Sequence, residues 1–213
     1  MLKDLFHLYA ERWHFFLNLT IQHLEISLIA IVIAIIIGLG LGILISRYRH
    51  LCSPVLGLTN FIYTIPTIAL FGFLIPFSGI GNFTAIIALT VYALLPMVRN
   101  TYTGLTGIDR EIIEAARGMG STSAQILFRI QLPLAFPVIL SGLRNMVVMT
   151  IALTGIAAFI GAGGLGIAIY RGITTNNGAL TIAGSLLIAL LALLTDCLIG
   201  RYENHFMKKR KLL

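Results

Sequence analysis

Residues 51–98 contain no aspartate, glutamate, lysine or arginine. A helix of about 20 residues crosses the hydrocarbon core of a bilayer. A charge-free run more than twice that long is therefore two spans, and it divides at Ser78-Gly79-Ile80-Gly81-Asn82, where glycines punctuate it. The spans fall at about 55–77 and 83–98. An uncharged block at 26–45 lies between Glu25 and Arg47, and further apolar blocks lie at about 136–160 and 178–195. Composition agrees: 58% of the residues are hydrophobic and 11% charged, where a soluble domain carries about 25% charged. The fold class is all-α integral membrane, with five transmembrane helices.

Three regions follow. Residues 1–23 are amphipathic and mixed in charge, with Leu5, Leu8, Tyr9 and Trp13 suited to the membrane interface. Residues 24–203 hold the transmembrane domain, and 204–213 form a basic tail. The first residues carry acids, and no short apolar run with a small-residue cleavage site follows, so no cleaved signal peptide is expected.

Within the spans a few residues stand out. Gly38 and Gly42 have the small-xxx-small spacing of close helix packing, although a glycine-rich face turned to lipid has the same letters. Pro66, in YTIPTIALF, removes a backbone bond and kinks its span. Such a kink either lines a pathway or only packs. Arg144 and Asn145 fall in the fourth span; Arg144 is expected to snorkel to the interface near the loop end. GAGGLG at 161–166 matches GxGxxG, but a membrane helix and not a strand precedes it, so a dinucleotide site is rejected. It reads as a tight turn or re-entrant bend. Cys52 and Cys197 have no metal spacing and read as packing residues; no metal site is expected.

Lysine and arginine placement sets orientation. Arg47, Arg49, Arg99, Arg110, Arg117, Arg129, Arg201, Lys208, Lys209, Arg210 and Lys211 fall on one side, against Lys3, Arg12 and Arg171 on the other. The net charge of +7 is thus topological and gives no reason to expect nucleic acid. The amino end is expected outside and the carboxyl end in the cytoplasm.

The polar stretch 109–133, DREIIEAARGMGSTSAQILFRIQLP, then faces the cytoplasm. It reads as two short helices with a glycine turn. Asp109 is placed to cap the first helix, which shows Ile112, Ile113, Ala116 and Met119 on one face. Gly120 suits a left-handed helix end. Thr122 and Gln125 have capping-box spacing, Ile126, Leu127 and Ile130 supply an apolar face, and Pro133 is expected as a stop. A short helix pair with one apolar side and little core of its own is built to dock on something.

Glu114-Ala115-Ala116, then Gly120, then Ile130-x-Leu132-Pro133 resembles the EAA loop of permease subunits of ATP-binding-cassette importers. The resemblance implies a type I importer fold like that of the methionine permeases, with this loop forming coupling helices that seat on a cytoplasmic ATPase. It assigns ATPase coupling to Glu114, Ala115, Ala116, Gly120, Ile130, Leu132 and Pro133. The implied partners are two ABC ATPase subunits, a second permease copy or sister permease, an extracytoplasmic substrate-binding protein and the bilayer of a bacterial cell membrane. The chain has no GxxxxGK[ST] loop, so ATP and Mg are expected on the partner ATPase, with no cofactor in this chain.

From about residue 21 to 203 the chain is similar to permeases for quaternary-ammonium osmoprotectants: glycine betaine, carnitine and choline. YTIPTIALFGFLIP, AAFIGAGGLG and YRGITTNNGALTIAG carry this likeness. Methionine-type permeases share the plan and a similar GAGGLG, and are the alternative. A trimethylammonium group is held well by aromatic faces. Tyr63, Pro66, Phe71, Phe73, Tyr92 and Asn145 are candidates to line a path, with Phe61 and Phe77 beside them, although packing would account for aromatics there as well. An intramembrane enzyme would need paired Asp, His or Ser groups at matched depth. His7, His14, His23, His50 and His205 are all expected outside the spans, and Asp196 shows no evident partner. The chain reads as a transport subunit, not an enzyme. A stand-alone channel would not need a docking helix pair.

Overall fold

The computed structural model describes residues 2–209, and its secondary structure there is entirely helical. Of the basic tail, Arg210 and Lys211 lie outside the described residues, as do the side chains of Lys3, Lys208 and Lys209.

Three long helices form the centre: α2 (Trp13–Arg47), α5 (Asn82–Thr106) and α8 (Leu132–Thr154). Helix α2 packs on α5, and α5 on α8. Glycines set the approach. A β-carbon at Gly38 would lie 2.7 Å from Met97 Cβ, and one at Gly42 would lie 2.4 Å from Thr101 Cβ. The Gly38/Gly42 face is therefore the α2–α5 contact and does not face lipid. On the other side of α5, a β-carbon at Gly142 would lie 2.4 Å from Asn100 Cβ.

Two of them, α2 and α5, outrun the spans expected from charge. Helix α2 has 35 residues, about 52 Å at 1.5 Å per residue, because nothing between Trp13 and Glu25 breaks a helix. The expected boundary at residue 23 falls inside it, and His23 lies in the helix, fully buried. Arg99, expected in a loop, lies two turns before the end of α5. A lone charge does not end a helix whose backbone bonds are satisfied internally.

The expected span at 55–77 is two helices, α3 (Cys52–Thr64) and α4 (Thr67–Ser78), bent by 102°. Pro66 disfavours helix at the residue before it. Ile65 (ψ 127°) and Pro66 (ψ 135°) are both extended, and two extended residues make a corner where one proline alone makes a kink. The pair still joins the two ends of the bundle. It starts beside Arg47, at the end that carries the polar loop, and finishes beside the start of α5.

At that far end α8 stops at Thr154, short of the expected residue 160, and a 3-10 turn (Ile156–Ile160) follows. The GAGGLG turn leads into α9 (Gly166–Thr174). A β-carbon at Gly166 would lie 2.0 Å from the Gly155 carbonyl oxygen, so α9 begins directly on the end of α8. The Gly163 N–H donates to Asn82 Oδ1 at 2.7 Å and the Gly164 N–H to Gln22 Oε1 at 3.3 Å, tying α5 and α2 to the turn. His23 shares an Nε2–O hydrogen bond of 2.9 Å with the Ile151 carbonyl, so it joins α2 to α8.

Helix α10 (Gly178–Lys209) packs on α8 and α9, and α1 (Leu2–Glu11) folds back on it with the Tyr9 hydroxyl donating to the Ala183 carbonyl at 2.8 Å. Among the described residues four helices are long and apolar enough to cross a membrane, and the α3–α4 pair makes a fifth, broken one. Phe73, Phe77, Ile36 and Leu198 project from these helices, largely exposed. An apolar surface of that extent is one a bilayer covers.

Candidate functional site

Two features join polar groups to open space: the loop at one end of the bundle and a cleft in its side.

In the loop, α6 (Arg110–Gly118) ends in a Schellman turn. The Ser121 N–H donates to the Ala116 carbonyl at 3.1 Å and the Gly120 N–H to the Arg117 carbonyl at 2.9 Å, with Gly120 at φ 83°. The capping box forms as expected. The Gln125 N–H donates to Thr122 Oγ1, and Gln125 Oε1 accepts from the Thr122 N–H. Asp109 stands at the start of α6 but makes no side-chain cap bond. Glu114 pairs with Arg110 at 2.8 Å on the exposed face.

Pro133 is not a stop. The short helix α7 (Ser123–Gln125), a π turn (Ile126–Gln131) and α8 run on as one 32-residue helix. In the π turn the Leu132 N–H bonds to the Leu127 carbonyl, five residues back, and the wider turn admits the proline ring without breaking the rod. The second loop helix is thus the end of a membrane span. The predicted apolar face of α6 divides: Ile113 and Ala116 turn inward, while Ile112 and Met119 are exposed. Met119 (80%) and Phe128 (65%) are bare to solvent at the tip, with Ala115 exposed four residues before Met119. Ile130, Leu132 and Pro133 are half-buried under the turn. Arg47, Arg117 and Gln131 line a groove of about 340 Å³ between α2 and the loop.

The cleft, about 280 Å³, lies between α3, α5 and α8 and is lined by Tyr63, Arg99, Asn100, Asn145 and Met149 among others. Of the six residues expected along a path, Tyr63 and Asn145 meet here. The Tyr63 hydroxyl donates to Met149 Sδ at 3.2 Å. Phe71 is fully buried in the core between α4 and α5, and Tyr92 is 4% exposed with its hydroxyl on the Ile65 carbonyl. Neither faces open space in this chain: both pack the α3–α4 corner. Pro66 makes that corner, and Phe73 lies apart on the outer surface.

Sequence reasoning missed one cluster. Arg144 is not a lone charge, and Asp196, which shows no evident partner in the sequence, is its partner. The Arg144 Nε and Nη2 donate to Asp196 Oδ1 and Oδ2 at 2.6 and 2.7 Å, and Nη1 reaches Glu203 Oε2 at 3.4 Å. Gly200 makes room, since a β-carbon there would lie 3.0 Å from the guanidinium carbon. The signal was present as Asp196, Gly200 and Glu203 on one stripe of α10 at helical spacing, but 52 residues separate the partners. Among the described residues no group of three His, Cys, Asp or Glu side chains is placed to hold a metal.

A bundle of membrane-length helices, with a rigid polar handle at one end and a polar cleft in its side, is the build of a membrane transport subunit. The chain belongs to the binding-protein-dependent transport system inner membrane component family, whose model matches residues 30–208. It is 45% identical to the osmoprotectant import permease protein OsmW of Salmonella typhimurium, over 94% of this chain and 95% of that one. It is 38% identical to the carnitine transport permease protein OpuCB of Listeria monocytogenes (94% and 92%). It is 40% identical to the glycine betaine/carnitine/choline transport system permease protein OpuCD of Bacillus subtilis (99% and 93%). Among solved structures, the MetNI methionine ABC transporter in an inward-facing form superposes with a TM-score of 0.82, at 26% identity, over 90% of this chain and 95% of that one. The methionine-permease-like fold expected from the loop is the fold observed.

Proposed function

We propose that this chain forms half of the translocation pathway of an ATP-driven importer for quaternary-ammonium osmoprotectants such as glycine betaine, carnitine and choline. The observation that carries the reading is near full-length similarity, at 38–45% identity, to permeases named for those compounds. The methionine transporter is a more distant likeness at 26%, which favours the osmoprotectant group over the methionine alternative.

The loop geometry supports the mechanism. Met119 and Phe128 present an apolar tip on a stiff mount, because the Schellman turn fixes α6 and the second loop helix continues into α8. A partner ATPase that grips this tip moves a membrane helix with it. Glu114, Ala115, Ala116, Gly120, Ile130, Leu132 and Pro133 build the handle. ATP and Mg reside on that ATPase, and two copies of it serve two permease halves. The cleft opens on polar groups that lipid would not cover, which supports a second permease, identical or sister, on that face. The arginines of the loop favour a cytoplasmic position for it and for the carboxyl end, with the amino end outside. There an extracytoplasmic binding protein delivers cargo.

The test is uptake in proteoliposomes holding the permease with its ATPase and binding protein, with and without internal ATP. ATP-dependent uptake of a labelled quaternary ammonium compound, and none of methionine, is expected. Methionine uptake would overturn the cargo assignment and leave the mechanism. ATP-independent flux would overturn the importer itself.

A further inference from the structure

Arg99 and Arg144 are both guanidiniums on membrane helices, and the structure treats them oppositely. Arg144 is held by two carboxylates. Arg99 is exposed, and among the described residues no acid lies within ion-pair distance of it. Its hydrogen bond is a long one, Nη2 to Asn60 Oδ1 at 3.5 Å. A charge on a membrane helix faces protein or a water-filled cavity and seeks a partner. Here it faces the cleft, and the missing partner is an anion.

The opposite requirement stands one helical turn away. Asn60 precedes Tyr63 by three residues in α3, about 4.5 Å along the axis. The Tyr63 ring is fixed by its hydroxyl on Met149 and by edge contact with the Tyr92 ring at 6.0 Å, yet it remains partly open to the cleft. An anchored aromatic face suits a quaternary ammonium. Asn145 adds an exposed amide, while the Asn100 amide nitrogen is held by the Pro96 carbonyl. The volume sits near the lower limit of about 300 Å³ for small-molecule sites, so the cleft suits a molecule of few atoms. Guanidinium and ring line the same small cleft, and together they match a compact zwitterion with a trimethylammonium group at one end and a carboxylate at the other.

We infer that this cleft is a transient binding site on the translocation path for the zwitterionic cargo. Arg99 takes the carboxylate and the Tyr63 ring takes the trimethylammonium group. The inference rests on the osmoprotectant reading and adds that the permease itself distinguishes carboxylate-bearing cargo, such as glycine betaine, from choline, which has none.

The experiment compares ATP-dependent uptake of glycine betaine and choline by the assembled importer carrying Arg99→Gln, Arg99→Lys, Tyr63→Leu or Tyr63→Phe. The binding protein is the same throughout, so a change in the ratio of kcat/KM for the two cargoes reports the permease. Arg99→Gln is expected to lower the glycine betaine to choline ratio about tenfold, the effect of one charge-assisted hydrogen bond, with Arg99→Lys in between. Tyr63→Leu is expected to slow both cargoes alike, and Tyr63→Phe to keep both, since the ring face is retained. An unchanged ratio in Arg99→Gln, with transport of both cargoes intact, would overturn the site. If Arg99→Gln does not reach the membrane, equal behaviour of Tyr63→Leu and Tyr63→Phe would overturn it instead. Failure of the unaltered importer to move either compound would overturn the osmoprotectant reading, a result distinct from both.

Discussion

The Tyr92 hydroxyl donates to the backbone carbonyl of Ile65, reaching from α5 to the corner between α3 and α4. The corner exists because Pro66 has no N–H and holds Ile65 extended, which leaves that carbonyl outside any helix ladder. Partly buried against an apolar core, an unmet carbonyl costs up to about 1–3 kcal/mol. Tyr92→Phe keeps the ring and removes the donor, so it is expected to destabilise the protein by that amount. Thermal unfolding in detergent measures it. An unchanged midpoint would mean that water meets the carbonyl and that the tyrosine is only a packing ring.

The α2–α5 contact gives a sharper contrast. Gly42→Ala places a methyl group 2.4 Å from Thr101 Cβ, whereas a β-carbon at Gly40, half a turn away, meets nothing within 4 Å. Overpacking of this kind costs about 1–3 kcal/mol, while Gly40→Ala relieves a helix-interior glycine and gains up to about 1 kcal/mol. The same melting assay on both variants is expected to move in opposite directions. Equal shifts would show that the two helices separate freely along this face.

Arg144, Asp196 and Glu203 clasp α8 to α10. Removing one member strands the others against an apolar surface, so a single change is worse than a matched pair of changes. Arg144→Met and Asp196→Leu are each expected to lower the unfolding midpoint. The double variant is expected to lie above either single one. A double variant whose loss equals the sum of the two would show that the pair carries no coupling.

The legible parts of this fold are local. Thr122 and Gln125 stand three residues apart, and Gly120 follows an amphipathic turn, so the geometry of the loop can be read from its letters. The uncharged runs mark where helices lie. What the letters conceal is long-range or continuous. A single Arg99 does not end a helix, so the span that charge would stop at residue 98 runs to Thr106. The Arg144–Asp196 pair joins residues that no short window contains. Pro133 looks like a stop because proline in isolation is one, but a π turn before it supplies the missing room. Phe71 and Tyr92 look like path-lining aromatics because nothing in the sequence shows that α4 folds across α5. The cleft was half visible: Tyr63 and Asn145 were candidates, and Arg99 was set aside as a topological charge.

Gly120 links the local geometry of the loop to its proposed work. At φ 83° it occupies a backbone region where a side chain is strained, and both bonds of the Schellman turn depend on that conformation. Gly120→Ala is expected to cost about 1 kcal/mol, which loosens the turn without unfolding the bundle, since no core residue touches it. Gly118, exposed and with nothing within 4 Å of a β-carbon placed there, is the control: Gly118→Ala adds the same methyl group two residues earlier at no strain. If the loop transmits force as a rigid handle, Gly120→Ala lowers the number of cargo molecules imported per ATP hydrolysed, while Gly118→Ala leaves it unchanged and both variants assemble with the ATPase. Gly120→Pro, whose ring cannot adopt positive φ, is expected to go further, with hydrolysis persisting and uptake lost. Equal transport per ATP in all three would mean that force passes through the α8 rod alone and that the α6 turn only shapes the docking tip.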